Sequence, residues 1–185
     1  MSFKGYLAAS LLVLAGLGTT HAADLSADLQ QRIDALRETW ANSATLINAI
    51  KEQNARNIPL SDIQEIDRKW MATSGLAAFM MPVLDNPAVA ELLRLEKATG
   101  HVQESFVMDN QGALVAATNK TSDYWQGDEA KFTESFKNGQ GAVHVGKVDF
   151  DKSAQAYLVQ VSIPVMDDGR AIGAITIGID LGDSR

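Results

Sequence analysis

Around residue 104 the spacing of apolar residues changes period, and that change limits the folds open to this 185-residue chain. Before it, apolar residues recur every three or four positions, the repeat of a helix face; beyond it they alternate or gather in short β-rich runs, the repeat of strands. A chain that places helices first and most of its strands afterwards folds as α+β.

In the helical part, Leu25, Leu29, Ile33, Leu36, Trp40, Ile47 and Ile50 fall at spacings of three, four and seven. They predict one amphipathic helix from about Asp24 to Gln53, stopping before Asn57-Ile58-Pro59. At ~1.5 Å per residue it exceeds about 40 Å, which leaves two arrangements open: a helix lying across a sheet, or one that projects and meets a second copy. Ser61-Asp62-Ile63-Gln64 has the spacing of a capping box and opens a second helix through Trp70, with Gly75 near its end. The apolar run from Leu76 to Leu84 contains Phe79, Met80 and Met81; it fills a core between helices or lines an adaptable site. Asn86-Pro87 supplies an N-cap and a first-turn proline, and Gly100 a stop, bracketing a third helix.

The strands begin with Ser105 to Met108 and Ala113 to Ala117, joined by the turn signal Asp109-Asn110-Gln111-Gly112. Three more follow, at Ala142 to Phe150, Gln155 to Ile163 and Ala171 to Asp180, the last two joined at Asp167-Asp168-Gly169 as antiparallel neighbours. Ala174, Thr176 and Gly178 give the last strand a face of small groups, against which a helix or a ligand can lie closely. Between the second and third strands a short helix is expected within Asp128 to Asn138, with Phe132 and Phe136 on one face. Leading into it, Thr118 to Glu129 sets Tyr124 and Trp125 among Asp123, Asp128 and Glu129. Rings with an apolar body and a polar tip suit either a pocket wall or an ordinary loop pinned by its aromatics.

Lys4, the apolar core Leu7 to Leu17 and Thr20-His21-Ala22 read as a secretory signal peptide cleaved near Ala22. The expected product is periplasmic and has no cysteine with which to form a disulfide. Lys4 is the one charged residue of this leader, so its loss makes the formal net charge of −7 one unit more negative. Such a balance disfavours nucleic acid and anionic membrane surfaces as partners.

Phe106-Val107-Met108-Asp109-Asn110-Gln111-Gly112-Ala113-Leu114-Val115-Ala116-Ala117-Thr118, then Ser122-Asp123-Tyr124-Trp125-Gln126-Gly127-Asp128-Glu129, then Ile163-Pro164-Val165 and Gly169-Arg170-Ala171-Ile172-Gly173-Ala174 together resemble the core of a Cache (PDC-type, extracytoplasmic PAS-like) sensor domain in its single-module form. The resemblance covers roughly residues 104 to 181, with the long first helix in the place of the family's N-terminal helix. It implies a five-stranded antiparallel sheet of order 2-1-5-4-3 and a small-molecule pocket on one face, roofed by the segment after the second strand. It also implies ligands among amino acids, short carboxylates, amines, purines or cations. The chain departs from the family plan in showing neither a membrane span nor an output module, which implies a separate membrane receptor or kinase as partner. It lacks the Arg-x-Trp-Tyr pattern of the amino-acid-binding subgroup and carries Ala130-Lys131-Phe132 where many relatives place an aromatic pair. The expected organisation is a signal peptide over 1–22, a helical region over 23–103 and a PAS-like sheet region over 104–185, the last two forming one globular domain.

No catalytic constellation stands out. The mature chain has His101 and His144 without a His-Glu-x-x-His pattern, and there is no Gly-x-Ser-x-Gly and no phosphate-cradling glycine loop. Asp149-Phe150-Asp151-Lys152-Ser153 begins like a calcium loop, but Ala154 and Gln160 stand where an EF-hand needs Gly and Glu. No enzyme activity, cofactor or metal centre is therefore expected, although Asp123, Asp128 and Glu129 could hold a hard cation or an organic amine. The candidate ligand-binding residues are Tyr124, Trp125, Asp128, Lys131, His144 and Tyr157. The acids favour a cation or amine and Lys131 an anion, so a carboxylate, an amine and an amino acid all remain open. The competing reading is a structural or interaction protein with an empty pocket, which binds a partner through an exposed apolar strip along Leu29, Leu36 and Trp40.

Overall fold

The computed structural model describes residues 27–151 and 156–181. The segment expected to be a signal peptide, the tail beyond Leu181 and part of the calcium-like loop lie outside the described residues. Among those residues no helix is long and apolar enough to cross a membrane.

The apolar stripe forms two helices, α1 (Ala27–Thr39) and α2 (Ala44–Ala55), in place of the single helix expected from it. The break falls at Asn42 and Ser43, whose short polar side chains compete with the helix backbone. Ser43 is extended and its hydroxyl bonds to Glu91 at 2.7 Å, while Asn42 donates back to Glu38 O at 3.0 Å. The interruption coincides with the seven-residue gap in the stripe. It seats Trp40 in the core with its indole N–H on Thr99 Oγ1 at 3.1 Å.

Helix α3 (Leu60–Ala72) starts one residue ahead of the expected capping box, on Pro59. Ser61 bonds to the neighbouring Asp62 carboxylate instead of to the helix backbone, so the box does not form. A 3-10 turn (Ala78–Met80) and α4 (Met81–Leu84) follow, burying Met80 and Val83 while leaving Leu76 and Met81 exposed. Helix α5 (Pro87–Thr99) has the cap, proline and Gly100 stop read from sequence, with Asn86 Oδ1 accepting from Val89 N at 3.0 Å.

Strands β1 (Val102–Met108), β2 (Leu114–Ala117), β3 (His144–Asp151), β4 (Ala156–Asp167) and β5 (Arg170–Asp180) form one antiparallel sheet. Its order is β2-β1-β5-β4-β3, the one the Cache resemblance implies. One face, with Val107, Val159, Val161, Ile163, Ile175 and Ile177, packs on α1, α2 and α5. The other carries Phe106, Met108, Ala174, Thr176 and Gly178 and receives α6 (Ala130–Phe136), which lies against β3, β4 and β5. The small-residue face of β5 therefore accommodates a helix. Phe132 and Phe136 share one side of α6, stacked at 5.1 Å.

Gly112 closes the β1–β2 turn at φ +83°, where a Cβ would lie 2.5 Å from the Gly127 Cα. Both the left-handed backbone and the crossing of two main chains require glycine. Gly112→Ala should lower unfolding free energy by at least ~2 kcal/mol, read from the urea midpoint at unchanged m-value.

Candidate functional site

The stretch from Thr118 to Glu129 is built by backbone pairing on one side and by α3 on the other. Leu114 N donates to Tyr124 O at 3.1 Å and Gln126 N to Gly112 O at 2.8 Å, adding a short extended segment at the β2 edge. From α3, Asp67 Oδ1 accepts both Tyr124 N at 2.8 Å and Trp125 N at 3.0 Å, and Trp70 Nε1 donates to Thr121 O at 2.9 Å. Trp125 Nε1 donates to Gln111 O at 2.8 Å. Asp67 was not singled out from sequence. Its signal was modest: a carboxylate three residues before Trp70 and one after Ile66, at the margin of the buried face of α3.

Held in this way, Tyr124 faces a cleft of about 670 Å³ between α2, α3, the 3-10 turn and the start of α5. Trp70 and Phe79 stand with it as the aromatic wall, Trp70 lying 5.9 Å from the Tyr124 ring and 6.4 Å from Phe79. Glu52, Gln53 and Arg56 of α2 line the opposite wall. Tyr124 is 5% exposed, and its hydroxyl, which makes no hydrogen bond among the described residues, keeps contact with solvent. Glu52 and Arg56, one helical turn apart and exposed at the mouth, form no ion pair with each other or with any described residue. This combination of an apolar wall and a few polar groups not committed to protein partners is what a small-molecule site presents.

The other five predicted residues do not gather here. Trp125 and Asp128 border a shallow outer groove of about 390 Å³ with Asp67 and Arg68, on a different surface. Lys131 pairs with Glu129 at 2.9 Å and sits 5.6 Å from the Phe106 ring centre, on the α6 side of the sheet. His144 pairs in register with Ser162, whose hydroxyl meets that of Thr176 at 2.9 Å. Tyr157 is 50% exposed near the end of the sheet, whereas Val159, Val161 and Ile163, at alternate positions farther along the same strand, are buried in the core. The three acids do not converge either. Asp123 takes Ser122 and Gln126, Glu129 takes Lys131, and Asp128 stands exposed without capping α6, whose N-cap position is Glu129. Among the described residues no three His, Asp or Glu side chains are placed to share a metal ion. The stretch after β2 therefore divides its work: α6 lies on the sheet face that the resemblance assigned to a pocket, while Tyr124 opens a cleft among the helices.

No protein-family model matches the chain, and no curated protein matches it in sequence. Among solved structures it is similar to the sensor domain of the histidine kinase DctB of V. cholerae, with 13% identity and a TM-score of 0.42, over 84% of this chain and 55% of that one. It is also similar to the extracellular domain of the putative histidine kinase vpHK1S-Z8, with 8% identity and a TM-score of 0.47, over 83% and 51%. A third is the ligand-binding domain of the Campylobacter jejuni chemoreceptor Tlp3 in complex with L-norvaline, with 15% identity and a TM-score of 0.41, over 83% and 58%. The chain thus spans little more than half the length of each of these structures. The chemistry of the cleft has to be read from its own residues.

Burial, with a smaller contribution from the negative charge of Asp109 and some opposition from Arg56, pushes the Tyr124 hydroxyl up to about 12. The group is a neutral donor and acceptor throughout the physiological range. Because its folded pKa lies above the unfolded value of 10, the associated stability is complete below pH 10 and is lost as pH rises toward 12. Two units correspond to about 2–3 kcal/mol. Chemical denaturation from pH 9 to 12 should show this loss in the native protein and a flatter profile in Tyr124→Phe.

Proposed function

We propose that this protein is an extracytoplasmic sensory domain that binds a small polar molecule in the Tyr124 cleft and reports it to a separate membrane receptor or kinase. The observation that carries the reading is the Tyr124 hydroxyl, the polar tip of a residue 5% exposed, which has no hydrogen bond to a described residue and faces a cleft of ligand size. Water satisfies that hydroxyl in the open cleft, and a ligand that replaces the water with its own hydrogen bond gains roughly 0.5–1.5 kcal/mol. Tyr124 is the ligand contact in this reading. Trp125 fixes the stretch from behind, and Asp128, Lys131, His144 and Tyr157 take no part. The reading assigns the cleft to binding, with Tyr124 and the α2 side chains as contacts rather than as reacting groups.

The competing reading, partner binding through an apolar strip on the first helix, lacks its surface. Leu29, Leu36 and Trp40 are 9%, 2% and 0% exposed, turned into the core with the sheet. A ligand seated between α2 and α3 bridges the helical layer to the Asp67-anchored stretch, a route from occupancy to the position of α2.

The test is thermal unfolding of the mature protein against small carboxylates, amines, amino acids and purines. A ligand at ~100 times its Kd should add ~2.7 kcal/mol of stability, and Tyr124→Phe should weaken its binding about 3- to 10-fold. Absence of any midpoint shift across the panel removes the reading, and a shift unaffected by Tyr124→Phe moves the site elsewhere.

A further inference from the structure

The inner wall of the cleft is polarised by a side-chain arrangement that fixes which atoms face the ligand. Gln53 is 9% exposed, and its amide nitrogen donates to Asp109 Oδ2 at 2.9 Å and to Leu114 O at 3.1 Å. Both partners are acceptors, so the NH₂ group must point at them and the amide cannot be flipped. Gln53 Oε1 is left without a hydrogen bond among the described residues, on a side chain that lines the cleft. Behind it Asp109, 2% exposed, accepts from Gln53, Gln111 N and Ala113 N, as an ionised carboxylate does.

From these positions we infer that the cleft selects a protonated organic amine carrying an apolar body, its ammonium group donating to Gln53 Oε1 and Tyr124 Oη. The inference rests on the reading that this cleft is the binding site, and it assigns the charge of the ligand that the sequence leaves open. A carboxylate in the same place faces the lone pairs of Gln53 Oε1 with the Asp109 charge behind them, a repulsive arrangement in a partly desolvated site. An ammonium reverses both signs. The rings of Trp70 and Tyr124 add π faces that attract a cation, and with Phe79 they bury its apolar portion. At the mouth Glu52 reinforces the preference.

Three features act the other way, the first being the exposed Lys69, whose Nζ sits 4.3 Å over the Phe79 ring. Arg56 is exposed at the mouth, where water and salt screen it. The start of α5 also borders the cleft, but Asn86 Oδ1 occupies the Val89 N–H of its first turn. None of the three is bonded to the inner wall as Asp109 is to Gln53.

The experiment is calorimetric titration of the mature protein with three probes of one shape: 2-phenylethylamine, 3-phenylpropanoate and 2-phenylethanol. The amine should bind at least ~10-fold more tightly than the carboxylate, with the alcohol between them. Arg56→Gln should tighten amine binding about 2- to 5-fold and Glu52→Gln should weaken it by a similar factor, since each removes one exposed charge of known sign. Both positions are exposed and without ion pairs, so the folded state is retained and unliganded melting checks it. Tighter binding of the carboxylate, or loss of affinity in Arg56→Gln, overturns the amine assignment while leaving the cleft a binding site. Failure of all three probes also overturns it. Joined to an empty result across the wider thermal panel, that failure removes the cleft itself.

Discussion

The buried carboxylate of Asp109 is the point on which helices, sheet and cleft are registered to one another. It sits at the end of β1, where its Oδ1 takes Gln111 N and Ala113 N and so closes the β1–β2 turn from within. Its Oδ2 takes Gln53 from α2. The adjacent Asn54 completes the clamp: its side chain accepts from Asn110 N at 3.0 Å and donates to Ile172 O at 2.8 Å. Two consecutive residues of one helix thus hold the β1–β2 turn and the start of β5 together. Burial raises the Asp109 pKa, and the donors around it pull the other way. Removing one partner from such a group would leave a desolvated charge, which costs far more than an exposed hydrogen bond returns.

This clamp explains why α2 presents Glu52, Gln53 and Arg56 to the cleft at a fixed height. Ridges of Leu46 and Ile50 seat the helix on the sheet, but apolar contact alone permits sliding by part of a turn. The Gln53 and Asn54 bonds are directional and remove that freedom. On the facing wall, Asp67 does the equivalent for the Tyr124 stretch, while Ile63 and Trp70 seat α3 in the second apolar cluster. Each wall of the cleft is positioned by one buried polar residue acting on backbone, and the space between is what the two clamps leave.

The sequence made the order of elements and the sheet legible for reasons that are local. Asn86-Pro87 caps a helix whatever lies nearby, and Asp168-Gly169 forms its turn with φ of 46° and 77° because few other dipeptides tolerate those angles. The 2-1-5-4-3 order was not local; it came from the resemblance, and the pairings carry it out. What stayed illegible depended on partners far along the chain. Ser43 breaks the first helix in favour of Glu91, 48 residues away, and Asp67 finds its partners 57 and 58 residues on. Of the candidate site, Tyr124 was readable as an aromatic with a polar tip, whereas Gln53 looked like one more polar residue at a helix end. Lys131, a plausible anion ligand in isolation, is taken by Glu129 two residues away.

Placement of the cleft among helices rather than on the sheet changes what occupancy can do. The sheet face under α6 is filled by Phe132, Ala174, Thr176 and the Ser162–Thr176 hydroxyl pair, a close-packed arrangement that resists small displacements. The helical layer is different: α3 follows the exposed Asn57 to Pro59 turn, and beyond its end Gly75 has open space around it at φ +69°. Segments joined in this way shift at lower free-energy cost than core strands do. On the proposed reading, a ligand bonded to Gln53 and Tyr124 would bridge the α2 clamp and the stretch that Asp67 of α3 holds. Occupancy would reach a partner protein only as far as the ligand's binding energy differed between two spacings of those helices.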